Sequence, residues 1–513
     1  MSNLAKSAFW LMVVTMLSKV LGFGREIILG YFYGTSAYSD VYVVSMNIPL
    51  VLFASIGVAL GTTFIPLYQE ILNDNGEERA LKFSNNILSI LVILSVLMGI
   101  LGYIFAEPLV KLFAMHYTGA KLVLAVKFVR IMIMGIVFVG LSNLMTSYLQ
   151  IQGNFTIPGM IGFPNNVIII TSIIMAALMD NIYILAIGAL LGMISQFLFQ
   201  VPFAKKHGYK FKLTLDFKDE YLKKMLWLVI PVFIGVAVNQ VNTMVDRSLA
   251  SGLEDGVITA LNNANRLNYF VMGLFIATLS SVIYPTLSKL SSENNKEKFA
   301  ESVANSVNCV NLLVMPATIG AIILATPVVR ILFERGAFDA RSTSLTAVAL
   351  VYYSVGMVGF GLRDILGKVF YSLKDTKTPM INGMVAVVLN IILNICLVKV
   401  MGHAGLALAT SLSAIICILL LFRSLKKKIG YYGQDKISIT FIKTLIASIV
   451  MGVVTYFVYH FLFNILGLGL VQEAISLGVS VLLGVIVYLV LIIIFKIEEV
   501  NIAIDMVKKR LNR

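Results

Sequence analysis

Charge is scarce in this chain. Only 13% of its 513 residues are Asp, Glu, Lys or Arg, and 59% are hydrophobic. A soluble domain carries about 25% charged residues, so most of this chain has the bilayer as its solvent. Its apolar runs are roughly 20 residues long and do not alternate in segments of about ten. That excludes a β-barrel and predicts an all-α polytopic membrane protein. Cysteine is nearly absent. Cys309, Cys396 and Cys417 stand in apolar runs without paired or metal-ligand spacing, which excludes a disulfide framework and a thiolate metal centre. The four histidines, His116, His207, His403 and His460, form no HxxxH or HExxH pattern. No GxxxxGK[ST] loop is present, so ATP drive is not encoded, and no GxSxG elbow is present either. A membrane enzyme acting on polyprenyl-phosphate lipids is therefore the least supported class. No cleavable signal peptide is expected, because no small-residue site follows the first apolar run.

What the chain does have is long apolar runs. They predict about fourteen membrane helices. The first six lie at 8–33, 39–70, 83–106, 122–149, 158–179 and 182–204. The next six lie at 222–250, 257–288, 300–327, 342–371, 379–399 and 403–425, and the last two at 438–465 and 472–496. This divides the chain into a first lobe at 1–206, a second at 219–429, and a C-terminal pair with a basic tail at 436–513.

The net charge of +14 is informative through its positions. With the N-terminus inside, cytoplasmic segments collect the run Lys205, Lys206, Lys210, Lys212, Lys218, Lys223 and Lys224. They also collect Arg423, Lys426, Lys427, Lys428, Lys436 and Lys443, and the tail residues Lys508, Lys509, Arg510 and Arg513. Outside segments hold only Lys111, Lys121, Arg330, Arg335, Arg341 and Lys399. The positive-inside rule then places both termini in the cytoplasm. The basic runs read as topology determinants and contacts with anionic membrane lipids, not as nucleic-acid sites.

The halves of the chain resemble each other at an offset of about 220 residues, the mark of an internally repeated transporter. AEPLVKLF at 106–113 matches ATPVVRILF at 325–333, and GNFTIPGM at 153–160 matches KDTKTPMI at 374–381. An even number of helices per copy predicts two six-helix lobes related by a pseudo-two-fold along the membrane normal, with a binding site between them. That is the architecture of alternating access.

Charges inside the spans mark the candidate site. Lys19, Arg25 and Glu26 lie in the first helix, Asp40 opens the second, and Arg266 lies in the eighth. Gly22 and Gly24 lower helical propensity just before Arg25 and allow a bend there. Arg presents a planar fork and Lys a point charge to phosphate oxygens, so a cationic cavity suits a pyrophosphate. Interhelical salt bridges that serve only packing are the competing reading. A second set, Asp246, Asn390, Asn394 and Thr410, offers oxygens to a metal ion such as Na⁺, or a carboxylate to H⁺. It reads equally well as interhelical hydrogen-bond glue.

Four segments then carry a resemblance: SKVLGFGREIILGYFYGTSAYSDVY, NRLNYFVMGLFIATLSSVIYPTLS, LFERGAFDARSTSLTA and GLRDILGKVFYSLKDTKTPMINGMVAVVLNIILN. They resemble the MurJ (MviN) family of lipid II flippases, in the multidrug/oligosaccharidyl-lipid/polysaccharide exporter superfamily, and the likeness covers the whole chain. It implies a non-enzymatic transporter that moves undecaprenyl-pyrophosphate-linked peptidoglycan precursor to the outer leaflet of the bacterial cytoplasmic membrane. It also implies a groove formed with the last two helices for the polyprenyl tail, and functional positions at Arg25, Glu26, Asp40 and Arg266. No organic cofactor is implied; Na⁺, H⁺ or the membrane potential would supply coupling, and a monomer is expected. Lys19 stands where many members have Arg, and no arginine follows Pro49. These departures leave open an exporter of another polyprenyl-linked saccharide, or a multidrug or cation antiporter of the same superfamily.

Overall fold

A computed structural model describes residues 3–293, 295–467 and 469–500. The basic tail at 508–513 lies outside them. Among the described residues there is no strand, as expected of a chain whose backbone must satisfy itself in hydrocarbon. The helices are α1 (Asn3–Tyr33), α2 (Ala37–Ala59), α3 (Ile65–Ile104), α4 (Ala106–Phe113), α5 (Gly119–Met132), α6 (Ile136–Ile151), α7 (Thr156–Met160), α8 (Gly162–Leu178), α9 (Tyr183–Lys206) and α10 (Glu220–Ala250). They continue as α11 (Val257–Ser292), α12 (Lys296–Ile323), α13 (Ala325–Phe333), α14 (Ala340–Val355), α15 (Met357–Ser372), α16 (Lys377–Met401), α17 (His403–Ile429), α18 (Gln434–Leu466) and α19 (Leu470–Ile494). Among the described residues, nine helical stretches are long and apolar enough to cross a bilayer. The number is ten if the bent pair α14–α15 counts as one span.

Polar side chains fix where helices begin. Ser36 and Ser39 form a reciprocal capping box at α2. Asp219, Asn295 and Asp339 accept from the backbone N–H groups of Tyr221, Lys298 and Ser342 at the starts of α10, α12 and α14. The polar stretch expected to separate the second and third spans does separate them: two helices meet there at a kink within α3. A π-helical turn at Leu60–Phe64 joins α2 to α3, and α3 departs from helical geometry at Gly76 (φ 81°). The Glu, Arg and Ala residues beyond Gly76 are good helix formers, so only the glycine interrupts the helix.

The chain forms two compact units. The first comprises Met1–Thr259 with Arg335–Phe338, and the second Ala260–Glu334 with Asp339–Arg513. In the first, an aromatic cluster of Phe64, Tyr68, Phe83, Tyr148 and Tyr209 is buried. Phe64 stacks on Phe83 at 5.8 Å, and Tyr148 meets Tyr209 edge-on at 4.8 Å. The chain after α9 is stitched to α3. Asn85 Nδ2 donates to Lys210 O at 2.8 Å, Asn86 exchanges two 2.8 Å hydrogen bonds with the Asp216 backbone, and Arg79 pairs with Asp219 at 2.9 Å. In the second unit, Val303, Val307, Val310 and Val314 line one stripe of α12. They share a buried core with Leu362, Ile365, Leu366, Val369 and Phe370 of α15.

The segments matched in sequence can be compared in the structure. Helices α1 and α10 are both 31 residues long. The short α4 and α13 carry the matched segments, each with an apolar and a polar side, as expected of interfacial helices. Each is followed by a helix broken at a glycine, in a 3₁₀ turn at Ile133–Gly135 and in a 44° bend at Gly356. The two glycines face different obstacles. A Cβ on Gly356 would lie 2.6 Å from the Ser411 Cα, whereas one on Gly135 would meet the Met193 sulfur at 2.3 Å. Backbone cannot yield, but a methionine side chain can rotate. Gly356→Ala is therefore expected to cost about 1–3 kcal/mol of stability, and Gly135→Ala clearly less. Thermal unfolding of the two purified variants in detergent measures the difference, and equal losses would contradict it.

Candidate functional site

The charged residues of α1 are placed by its helical spacing. The helix is regular through Gly22 and Gly24. Lys19 and Glu26, seven residues apart, share a face, and Arg25 lies about 100° round from Glu26. Helix α1 packs on α8, and its small residues are what bring the two close. A Cβ on Gly22 would touch Asn166 at 3.5 Å, and one on Gly162 would strike the Ser18 hydroxyl at 2.0 Å. That approach puts Asn166 against the charge. Arg25 Nη1 donates to Asn166 Oδ1 at 3.2 Å, and Arg25 Nη2 donates to Glu26 Oε1 at 2.7 Å. Both charged side chains are buried, and Lys19 is exposed. The arrangement is a buried cation held by a carboxylate and an amide.

Asp40 lies at the start of α2, with 1% of its surface exposed. Its carboxylate accepts from the backbone N–H of Gly256 at 2.8 Å, from that of Thr259 at 2.9 Å, and from the Thr259 hydroxyl at 2.9 Å. These are the orphan donors of the α11 N-terminus, so Asp40 caps that helix from a distance in sequence. Lys121 bridges Asp40 (3.5 Å) and Asp255 (2.6 Å), with its ammonium 4.4 Å from the Tyr117 ring centroid. The backbone is tightly packed nearby. Gly256 takes φ +94° where a Cβ would lie 2.3 Å from Thr35 O. The segment Arg335–Phe338 also belongs to this first unit. Ala337 N donates to Tyr31 O at 2.8 Å, and Gly34 and Gly336 both adopt positive φ where a side chain would collide with backbone oxygens.

Arg266 lies on α11 about two turns beyond Thr259, in the part of that helix belonging to the second unit, and it is exposed. The second candidate set is divided between the units. Asp246 lies on α10 in the first; Asn390 and Asn394 on α16 and Thr410 on α17 are in the second. Within the second unit, Asn394 Nδ2 donates to Asn390 Oδ1 at 3.0 Å, and Asn390 Nδ2 reaches Thr410 Oγ1 at 3.5 Å. These three side chains supply only neutral oxygens. Among the described residues, no cluster of three or more His, Cys, Asp or Glu is placed to hold a metal ion.

Sequence reasoning passed over Asn166, Lys121, Thr259 and one further charge. Glu473, at the start of α19, is buried. It accepts from Arg330 Nη1 of α13 at 3.1 Å and from the Tyr459 hydroxyl of α18 at 2.9 Å. An acid opening the most apolar of the spans was the available signal.

The description "Lipid II flippase MurJ" belongs to the family model that matches residues 29–476. The chain belongs to that family. It is 32% identical over 472 residues to a protein of Haemophilus influenzae named probable lipid II flippase MurJ, covering 86% of this chain and 90% of the relative. It is 29% identical over 439 residues to the lipid II flippase MurJ of Burkholderia cenocepacia, covering 84% and 85%. A solved structure of lipid II flippase MurJ in an inward closed conformation superposes with a TM-score of 0.80 at 27% identity, over 94% of this chain and 98% of that one. A multidrug MATE-family transporter, inward-facing, superposes with a TM-score of 0.70 at 14% identity over 83% and 99%. That second likeness shows a shared fold. The chain is thus a multi-pass membrane protein of a transporter family.

The Asp40 network yields a stability test. Asp40→Asn leaves one acceptor where the carboxylate had two, and presents an NH₂ to backbone donors. Charge-assisted hydrogen bonds of this kind contribute about 1.5–3 kcal/mol each. A loss of that order is expected in the thermal unfolding of the purified variant, and Asp40→Ala should lose at least as much. Wild-type stability of both would show that α11 needs no cap.

Proposed function

We propose that this protein flips lipid II from the cytoplasmic to the outer leaflet of the bacterial cytoplasmic membrane by alternating access. The carrying observation is the buried Arg25 of α1, hydrogen-bonded to Glu26 and Asn166 in a chain built of membrane-crossing helices. Buried ionisable groups are rare in membrane proteins and mark substrate paths, and family membership names the substrate class. In this reading Arg25 and Arg266 bind the pyrophosphate, Lys19 adds charge, Glu26 modulates Arg25, and Asp40 positions the head of α11. The termini are proposed to be cytoplasmic, on the distribution of lysine and arginine.

The test is rescue of a bacterium depleted of its own lipid II flippase. The wild-type gene should restore growth and clear lipid II from the inner leaflet. Arg25→Ala, at the same protein level in the membrane, should fail, because losing a charge-assisted hydrogen bond of about 1.5–3 kcal/mol weakens transport roughly tenfold or more. Arg25→Lys should fall between, since it keeps charge without the fork. No rescue by the wild type would reject lipid II as substrate, and full rescue by Arg25→Ala would reject the role of Arg25. Coupling is tested on purified protein in vesicles by replacing Na⁺ with K⁺ or choline. A rate that falls in wild type and is insensitive in Asp246→Asn would support an ion role for Asp246. Equal rates throughout would leave Asn390, Asn394 and Thr410 as interhelical packing.

A further inference from the structure

We propose that residues 205–218 form an interfacial strap that seats the first unit on anionic phospholipid headgroups. Its place in the chain comes first. Helix α9 is one of the membrane-crossing stretches and ends at Lys206, so the strap begins at the edge of the hydrocarbon. Its conformation comes second. Tyr209–Asp216 is neither helix nor turn. Side chains of α3 hold its backbone at Lys210 O, at Thr214 N, and at both N and O of Asp216. All are even-numbered residues, which is one edge of an extended chain, with side chains alternating between faces.

The odd-numbered face is apolar and open. Phe211, Leu213, Leu215 and Phe217 are 61%, 74%, 47% and 65% exposed. A row of four such side chains would be an aggregation hazard in water. At a bilayer surface it is an anchor, with the rings and branched chains entering the acyl boundary.

The flanking charge identifies the occupant. Lys205, Lys206, Lys210, Lys212 and Lys218 are all exposed, and Asp216 is the sole acid between Lys205 and Lys218. One oxygen of Asp216 already accepts from the Lys218 backbone at 3.0 Å. Lysine stems lie along apolar surface while their ammonium groups reach phosphate oxygens. Apolar side chains backed by lysines complement a negatively charged lipid surface. The ties to Asn85, Asn86 and Ser89 hold the strap in place, so the anchor is a fixed part of the unit.

Brominated lipids test this on the full-length protein in phosphatidylcholine vesicles containing phosphatidylglycerol. Leu213→Trp adds a fluorophore at the most exposed position, read as the difference from protein carrying only the native Trp10 and Trp227. The added emission should be quenched by acyl-chain bromine. At equal mole fraction, brominated phosphatidylglycerol should quench it more than brominated phosphatidylcholine. Adding Lys210→Gln, Lys212→Gln and Lys218→Gln should remove that preference, with local enrichment falling on the order of fivefold per lysine, while quenching itself persists. Unquenched emission at Leu213→Trp would overturn insertion. Equal quenching by the two headgroups would overturn anionic recognition, as would a preference that survives the triple change. Should the triple variant fail to fold, high salt applied to Leu213→Trp alone must abolish the preference, and a salt-insensitive preference would count against the lysines.

Discussion

Hydrocarbon offers no hydrogen-bond partner, and that constraint governs the buried charges described here. Leaving a buried charge without its partner costs roughly 3–5 kcal/mol. The buried charges described here are accordingly built into networks: Arg25 with Glu26 and Asn166, Asp40 with the head of α11 and Lys121, Glu473 with Arg330 and Tyr459. Each network joins elements distant in sequence. Packing among apolar helices is permissive, because one leucine-rich face fits another about as well as it fits lipid. The charged networks are selective, and they determine which helix ends meet.

Glycine positions mark where the helices break. Interruptions fall at Gly76, at Ile133–Gly135 and at Gly356, and short helices such as α4 and α13 keep one polar side. At Gly356 the missing side chain admits the backbone of α17, so the bend is also a contact. A glycine lies at the break after α5 and at the bend after α14, against different neighbours.

The helices and the class of protein were legible in the sequence because apolar length is a local property. Lys19, Arg25, Glu26, Asp40 and Arg266 were legible as candidates because a charge in an apolar run is conspicuous. Their partners were not. Asn166 looks like any polar residue in an apolar helix until α1 closes on α8 through Gly22 and Gly162. Thr259 becomes a partner of Asp40 only when α2 and the start of α11 meet across about 220 residues of chain. Sequence shows which residues are costly to bury, and the fold shows what answers them.

That distinction bears on how Arg25 would meet a phosphate under the proposed function. In this structure its charge is matched by Glu26 at 2.7 Å, so the pair contributes no net charge. Under that proposal a pyrophosphate would share the guanidinium with Glu26, and Arg has the donors to do so: one nitrogen serves the carboxylate and another the Asn166 amide. The amide bond is neutral and the easier to exchange for a phosphate oxygen. Lys19, on the same face as Glu26 and two turns away, supplies charge that is not cancelled at close range. A substrate site built this way, as proposed, would hold its cation through its own partners at the expense of affinity for cargo. A carrier that must release its cargo in every cycle needs that compromise.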